Sequence, residues 1–171
     1  MQSEHAIYLE IPYEDFALTE SEETSTYMIL DACSEPLLPA EIQSFGAESL
    51  WQGNAQRDFW SIAPYLVPAN EQILEWTLAN LASGTWGLLI ESTYSFTDLR
   101  SHLRKFLTVK LPDDRQVYFR FYDPRVLTSY VDSCSPEEFG LLMSHVSRFI
   151  APREQTWLGI TSRPSVGQAQ A

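Results

Sequence analysis

The sequence predicts a single α/β domain in which a mixed β-sheet, with a hairpin in it, carries helices packed alongside. Three observations lead there. The short apolar runs at 26–33 and 86–92 have the length and continuity of buried strands. Capped segments with apolar residues at helical spacing lie between and beyond them. At 107–122 two alternating runs flank a turn. A chain of 171 residues buries one core without staples, and no repeat or linker divides it.

The first 25 residues read as an acidic, mobile arm around one alternation, Ile7, Leu9 and Ile11, that also fits an added strand. The domain proper is expected over 26–160, opening with the strand at 26–33. Leu37, Leu38, Ile42 and Phe45 then recur at helical intervals, with Pro39 near the start and Gly46 suited to the end, so a short helix is expected over 35–46. A brief strand follows at 49–53. The run at 62–68 contains Pro64, which cannot donate to a ladder, and belongs at a sheet edge or in an extended connection. Asn70 caps a helix with Glu71 in its first turn, Ile73, Leu74, Leu78 and Leu81 on one face, and Gly84 after it.

The strand at 86–92 is the most continuously apolar run and is expected at the sheet centre. Ser95 and Asp98 resemble a capping box ahead of Phe96, Leu99, Leu103 and Phe106. The other face of that helix bears Arg100, Arg104 and, near its end, Lys105, where cations complement the helix dipole. The hairpin turns at 112–115. Its second strand, with Tyr118, Arg120 and Tyr122 on one face, runs into Asp123-Pro124, a cap and a first-turn proline, and Val126, Leu127, Tyr130 and Val131 continue as a helix. Ser135-Pro136-Glu137-Glu138 starts another, expected to carry Phe139, Leu142, Met143, Val146, Phe149 and Ile150 and to stop at Pro152. An edge strand at 157–160 and a mobile tail over 161–171 complete the chain.

The net charge of −12 disfavours general binding to nucleic acid or anionic membrane. Residues 1–56 hold 11 acidic and no basic residues, whereas 100–125 holds seven basic against three acidic. This asymmetry either steers a partner or stitches two halves of one domain together. Cys33 and Cys134 stand far apart with no metal-ligand spacing, so a reducing compartment and no metal site are expected. The acidic N-terminus lacks the features of a signal peptide, and no apolar run is long enough for a membrane span, which points to a cytoplasmic protein.

No nucleotide-binding loop, nucleophile elbow or metalloprotease motif is present, and the three histidines are scattered, so an enzyme is not expected. Arg120, costly to bury unpaired, is expected to pair with Glu91 or Asp123. Trp51 and Trp60 flank a polar loop at 52–58, and large aromatics there either anchor protein contacts or pack into the core.

The segments Tyr27-Met28-Ile29-Leu30-Asp31-Ala32, Leu50-Trp51-Gln52-Gly53, Ala63-Pro64-Tyr65-Leu66-Val67, Trp86-Gly87, His102-Leu103-Arg104 and above all Phe119-Arg120-Phe121-Tyr122-Asp123-Pro124-Arg125-Val126-Leu127, in that order, resemble the adaptor chaperones of bacterial type VI secretion systems, called Tap or Tec proteins. The resemblance implies a non-enzymatic protein that needs no cofactor. It would bind a secreted effector and help load it onto a VgrG-type spike. Trp86, Arg120, Tyr122, Asp123 and Pro124 are then family-pattern positions, and Trp51, Arg100, Arg104, Lys105 and Arg125 are the candidate contacts to a partner. Many members continue into a longer helical lobe, whereas only residues 151–171 follow Ile150, which suggests a minimal adaptor. The alternative from another class is an acidic immunity-like protein that neutralises a toxin by direct binding.

Overall fold

Strand β5 (Gly87–Ser92), whose six residues are all buried, sits at the centre of a seven-stranded sheet in the computed structural model. The structure describes residues 4–164 except 22, 36, 82–84 and 112. The sheet also contains β1 (Ala6–Pro12), β2 (Ser25–Asp31), β3 (Glu48–Ser49), β4 (Pro64–Pro68), β8 (Val146–Pro152) and β9 (Thr156–Ser162), in the order β1-β9-β8-β5-β2-β4-β3. The α/β architecture in one body is as expected. Two details differ: every pairing in the sheet is antiparallel rather than mixed, and the hairpin of β6 (Thr108–Lys110) and β7 (Gln116–Tyr118) stands apart as its own two-stranded sheet.

Both faces of the large sheet are covered, which is why β2 and β5 read as unbroken apolar runs. On one face Ile29, Leu88, Ile90 and Phe149 meet residues of α4 (Phe96–Arg104), α5 (Pro124–Ser133) and α6 (Pro136–Leu142), among them Leu103, Leu127 and Phe139. On the other, Met28, Leu30, Leu89 and Ile150 meet Leu38 and Ile42 of α1 (Leu38–Ile42) and Ile73 of α3 (Glu71–Asn80). The expected caps form. The Asn70 side chain accepts from Ile73 N at 2.9 Å and Ser95 Oγ from Asp98 N at 3.2 Å, while Ser135 and Glu138 close a full capping box. Asp123 Oδ1 accepts from Arg125 N at 2.9 Å with Pro124 buried behind it, so the junction before α5 is built as expected, although its strand already ends at Tyr118.

Three expectations are corrected. The helix expected through Ile150 ends with α6, and Val146–Pro152 is a strand. Val146, Phe149 and Ile150 suit either period, but as β8 they fill the gap between β5 and β9 and bury Phe149 and Ile150 on opposite faces. His145, with a φ of 59°, makes the break. The N-terminal stretch is no free arm over 6–12: its alternation pairs along β9 from Ala6 opposite Ser162 to Pro12 opposite Thr156. The polar loop after Trp51 is a short helix, α2 (Gly53–Asp58). Gly84, Pro112 and the tail over 165–171 lie outside the described residues, while 161 and 162 belong to β9. Among the described residues no helix is long and apolar enough to cross a membrane.

His102 ties two helices together and gives the fold a pH dependence. Buried on α4, its Nε2 lies 3.0 Å from Leu142 O on α6 and donates to that carbonyl. Burial disfavours the imidazolium and holds its pKa below the ordinary value. The unfolded chain therefore binds a proton near pH 6.5 that the folded chain refuses, and this contribution is complete above that pH and lost as pH falls toward the folded pKa. The thermal midpoint is expected to fall between pH 7.5 and 5.5, and by less in His102→Gln, which keeps a donor without the titration. Equal falls in melting scans of the two proteins would remove His102 as the cause.

Candidate functional site

The segments Tyr27–Ala32, Leu50–Gly53 and Phe119–Leu127, far apart in sequence, meet beyond one end of β2. Asp31, the last residue of β2, is buried, and the Arg120 guanidinium pairs with its Oδ2 while Cys33 N donates to Oδ1 at 3.0 Å. Neither expected partner of Arg120 is used. Glu91 is held across the sheet by Arg148 through bonds of 2.7 and 2.9 Å, and Asp123 by Arg125 through 2.7 and 3.1 Å. Those hydrogen bonds from Arg125 keep the Asp123 carboxyl below the usual range. Burial alone would lower the Arg120 pKa, but the charge and hydrogen bond of Asp31 outweigh it and raise it.

A hydroxyl chain runs outward from this pair. The Arg120 guanidinium carbon lies 5.9 Å from the centroid of the Tyr122 ring, whose hydroxyl is 3.2 Å from that of Tyr118, which in turn accepts from Trp51 Nε1 at 2.5 Å. Burial pushes both tyrosine hydroxyls above their ordinary pKa, so they remain protonated donors. Trp51 meets the Tyr118 ring edge-on at 5.7 Å and Phe59 at 6.4 Å. Together with Leu50, Ala55 and Leu107 these rings line a groove of about 380 Å³, and Arg104 closes one side of it. Phe59 is 55% exposed. Of the expected contact residues, Trp51 and Arg104 are thus brought together; Phe59, Tyr118 and Asp31 were not foreseen as part of the site.

The basic face of α4 is turned onto its own chain. Arg100 bonds Glu48 at 2.7 Å and Ser49 O at 2.9 Å, while Arg104 donates to Leu50 O at 3.0 Å and Ser49 O at 3.3 Å. These contacts hold the segment that presents Trp51. Only Lys105 of the three is exposed, the two arginines being half-buried. Reversing Arg100, Arg104 and Lys105 to Glu together is therefore expected to cost about 2–4 kcal/mol through lost charge-assisted hydrogen bonds, while Lys105→Glu alone stays within about 0.5 kcal/mol. Urea midpoints of the two variants test this, and a triple variant as stable as the parent would refute it.

The remaining positions lie elsewhere. Trp86 is buried against Trp157, its ring 6.3 Å away and edge-on. Arg125, mostly exposed beyond Asp123, borders an open cleft with Thr128, Ser129 and Arg153. Among the described residues no group of three or more His, Cys, Asp or Glu is placed to hold a metal ion.

No curated protein and no solved structure matches the chain. A family model described as "Domain of unknown function (DUF4123)" matches residues 26–140, well over half of its length. That span includes Asp31, Trp51, Phe59, Arg104, Tyr118 and Arg120, so the whole groove and the ion pair beneath it fall inside the match. The chain therefore belongs to the DUF4123 family, which is associated with type VI secretion.

Proposed function

We propose that the protein is a cytoplasmic, non-enzymatic adaptor of a type VI secretion system, of the Tap or Tec kind. It binds a secreted effector, keeps it competent for loading and helps place it on the VgrG-type spike. The supporting observation is the convergence of the family segments beneath an exposed aromatic groove, because Trp, Tyr and Arg in such settings dominate protein contacts. Affinity purification from the source bacterium is expected to recover an effector together with a spike protein, and deletion is expected to stop that effector's secretion without altering its activity. Recovery of neither, with secretion intact after deletion, overturns the reading.

A second reading rests on charge. Glu10, Glu14, Asp15, Glu20 and Glu23 are all exposed, and such a surface fits an immunity-like protein that covers a basic toxin. Co-expression separates the two: an immunity protein rescues cells from the active toxin, and an adaptor does not.

A further inference from the structure

The groove between α2, α4 and β7 has apolar walls and, at its rim, Arg104, a cation held by backbone carbonyls and by no carboxylate among the described residues. The walls are largely aromatic and aliphatic, and its volume of about 380 Å³ has room for one large side chain. Helix α2, which forms one wall, has no reason of its own to be there. It spans six residues, has no side-chain cap at its start and buries none of its residues. Phe59 and Trp60, at its end, are 55% and 50% exposed. Phe59, left half in water where it lines the groove, suits a contact surface rather than a solvated one.

The rim fixes the charge of what enters. Arg104 spends its hydrogen bonds on the carbonyl oxygens of Ser49 and Leu50, and among the described residues no carboxylate pairs with it. Glu48, whose charge favours the Arg104 cation, is itself paired with Arg100, so two guanidinium groups share one carboxylate. Burial, and then the neighbouring Arg100, destabilise the charged form of Arg104, and the charge of Glu48 offsets this only in part. An incoming carboxylate relieves that; an incoming cation adds a third like charge.

We propose that this groove seats a large apolar side chain of the partner protein, carried on an acidic segment whose carboxylates face Arg104. The inference rests on the adaptor reading and names the chemistry of the bound partner. The side chain packs edge and face against Trp51 and Phe59. Tyr118 fixes the Trp51 indole through its hydroxyl, and the Asp31–Arg120 pair holds the backbone from which Tyr118 and Tyr122 project. Affinity accordingly has an apolar part that salt leaves alone and an electrostatic part that falls with ionic strength.

The test is site-specific photocrosslinking of the full chain in the source bacterium. Phe59 is replaced by p-benzoylphenylalanine, and Leu141, comparably exposed on α6 and outside the groove, serves as the control position. Irradiation is expected to join position 59 to one peptide of a partner protein, at an apolar residue flanked by Asp or Glu. Phe59→Ala is expected to weaken binding of that partner at least tenfold with the melting temperature unchanged, since the ring is over half exposed. A link to a segment with basic flanks, or to a second copy of this chain, overturns the proposal. A partner joined from position 141 and not from 59 overturns the groove and leaves the adaptor reading standing. No partner from either position, with none co-purified, overturns both.

Discussion

Gly87→Ala is expected to leave the chain unable to fold. Gly87 begins β5 opposite Leu30 with a φ of +142°, a backbone conformation that a side chain does not tolerate. A Cβ there would lie 1.8 Å from Ile29 O and 2.8 Å from Ile29 C, both backbone atoms of the neighbouring central strand. Relief requires β2 and β5 to part, which disrupts the sheet where both of its faces are covered. The expected loss exceeds about 4 kcal/mol, most of the roughly 5–15 kcal/mol that such a domain has in total. Soluble yield and far-ultraviolet circular dichroism report it. Gly140→Ala is the control: it is exposed within α6, with nothing within 4 Å of an added Cβ, and gains about 0.5–1 kcal/mol from helix propensity. A folded Gly87→Ala protein with normal spectra would show that the two strands are not so tightly apposed.

Arg120→Ala is expected to cost about 2–3 kcal/mol. Removing one partner of a buried ion pair costs about 3–5 kcal/mol because the other charge is left without compensation. Asp31 is the buried partner, with 4% of its side chain exposed, but Arg120 is 40% exposed, so water reaches the vacated position and lessens the loss. The Cys33 N–H still supports one carboxylate oxygen. Asp31→Asn is expected to cost less, about 1–2 kcal/mol, since the amide oxygen can keep that bond while the charge is lost. The double variant should fall short of the sum of the two, a coupling that urea titration of the four proteins measures. If Arg120→Ala unfolds within about 0.5 kcal/mol of the parent, the pair is an incidental surface contact and cannot brace the groove. Because Tyr118 and Tyr122 flank Arg120, partner binding should weaken along with stability in this variant, in contrast to Phe59→Ala.

The helix caps at four junctions were legible. The caps at Asn70, Ser95, Asp123 and Ser135 each pair a side chain with a backbone N–H two or three residues on, and residue type at fixed spacing is all that such a bond requires. The centrality of β5 was legible for a similar reason, since continuous apolarity is what burial on two faces demands. The segment 146–152 was not, because a strand covered on both faces loses the alternation that distinguishes it from a helix. The choice there was made by the open ladders of β5 and β9, which are far away in sequence.

The candidate site divides along the same line. Trp51 and Arg104 stand out in the sequence as a loop tryptophan and as part of a cationic helix face. That Arg104 and Arg100 grip the backbone at 49–50 depends on the packing of α4 beside β3, and so the helix face that looked free for a partner is largely spent on the fold.

The sequence by itself determined the family, the starts of α3, α4, α5 and α6 and the central strand, and it singled out the stretch from Phe119 to Leu127. Tertiary structure alone decided what that stretch does. Arg120 had carboxylates closer in sequence at Asp123 and Glu91, and it pairs instead with Asp31, 89 residues away. An ion pair is chosen by where the backbone sets two charges and by which of them has already been claimed. Arg125 and Arg148 had claimed the others.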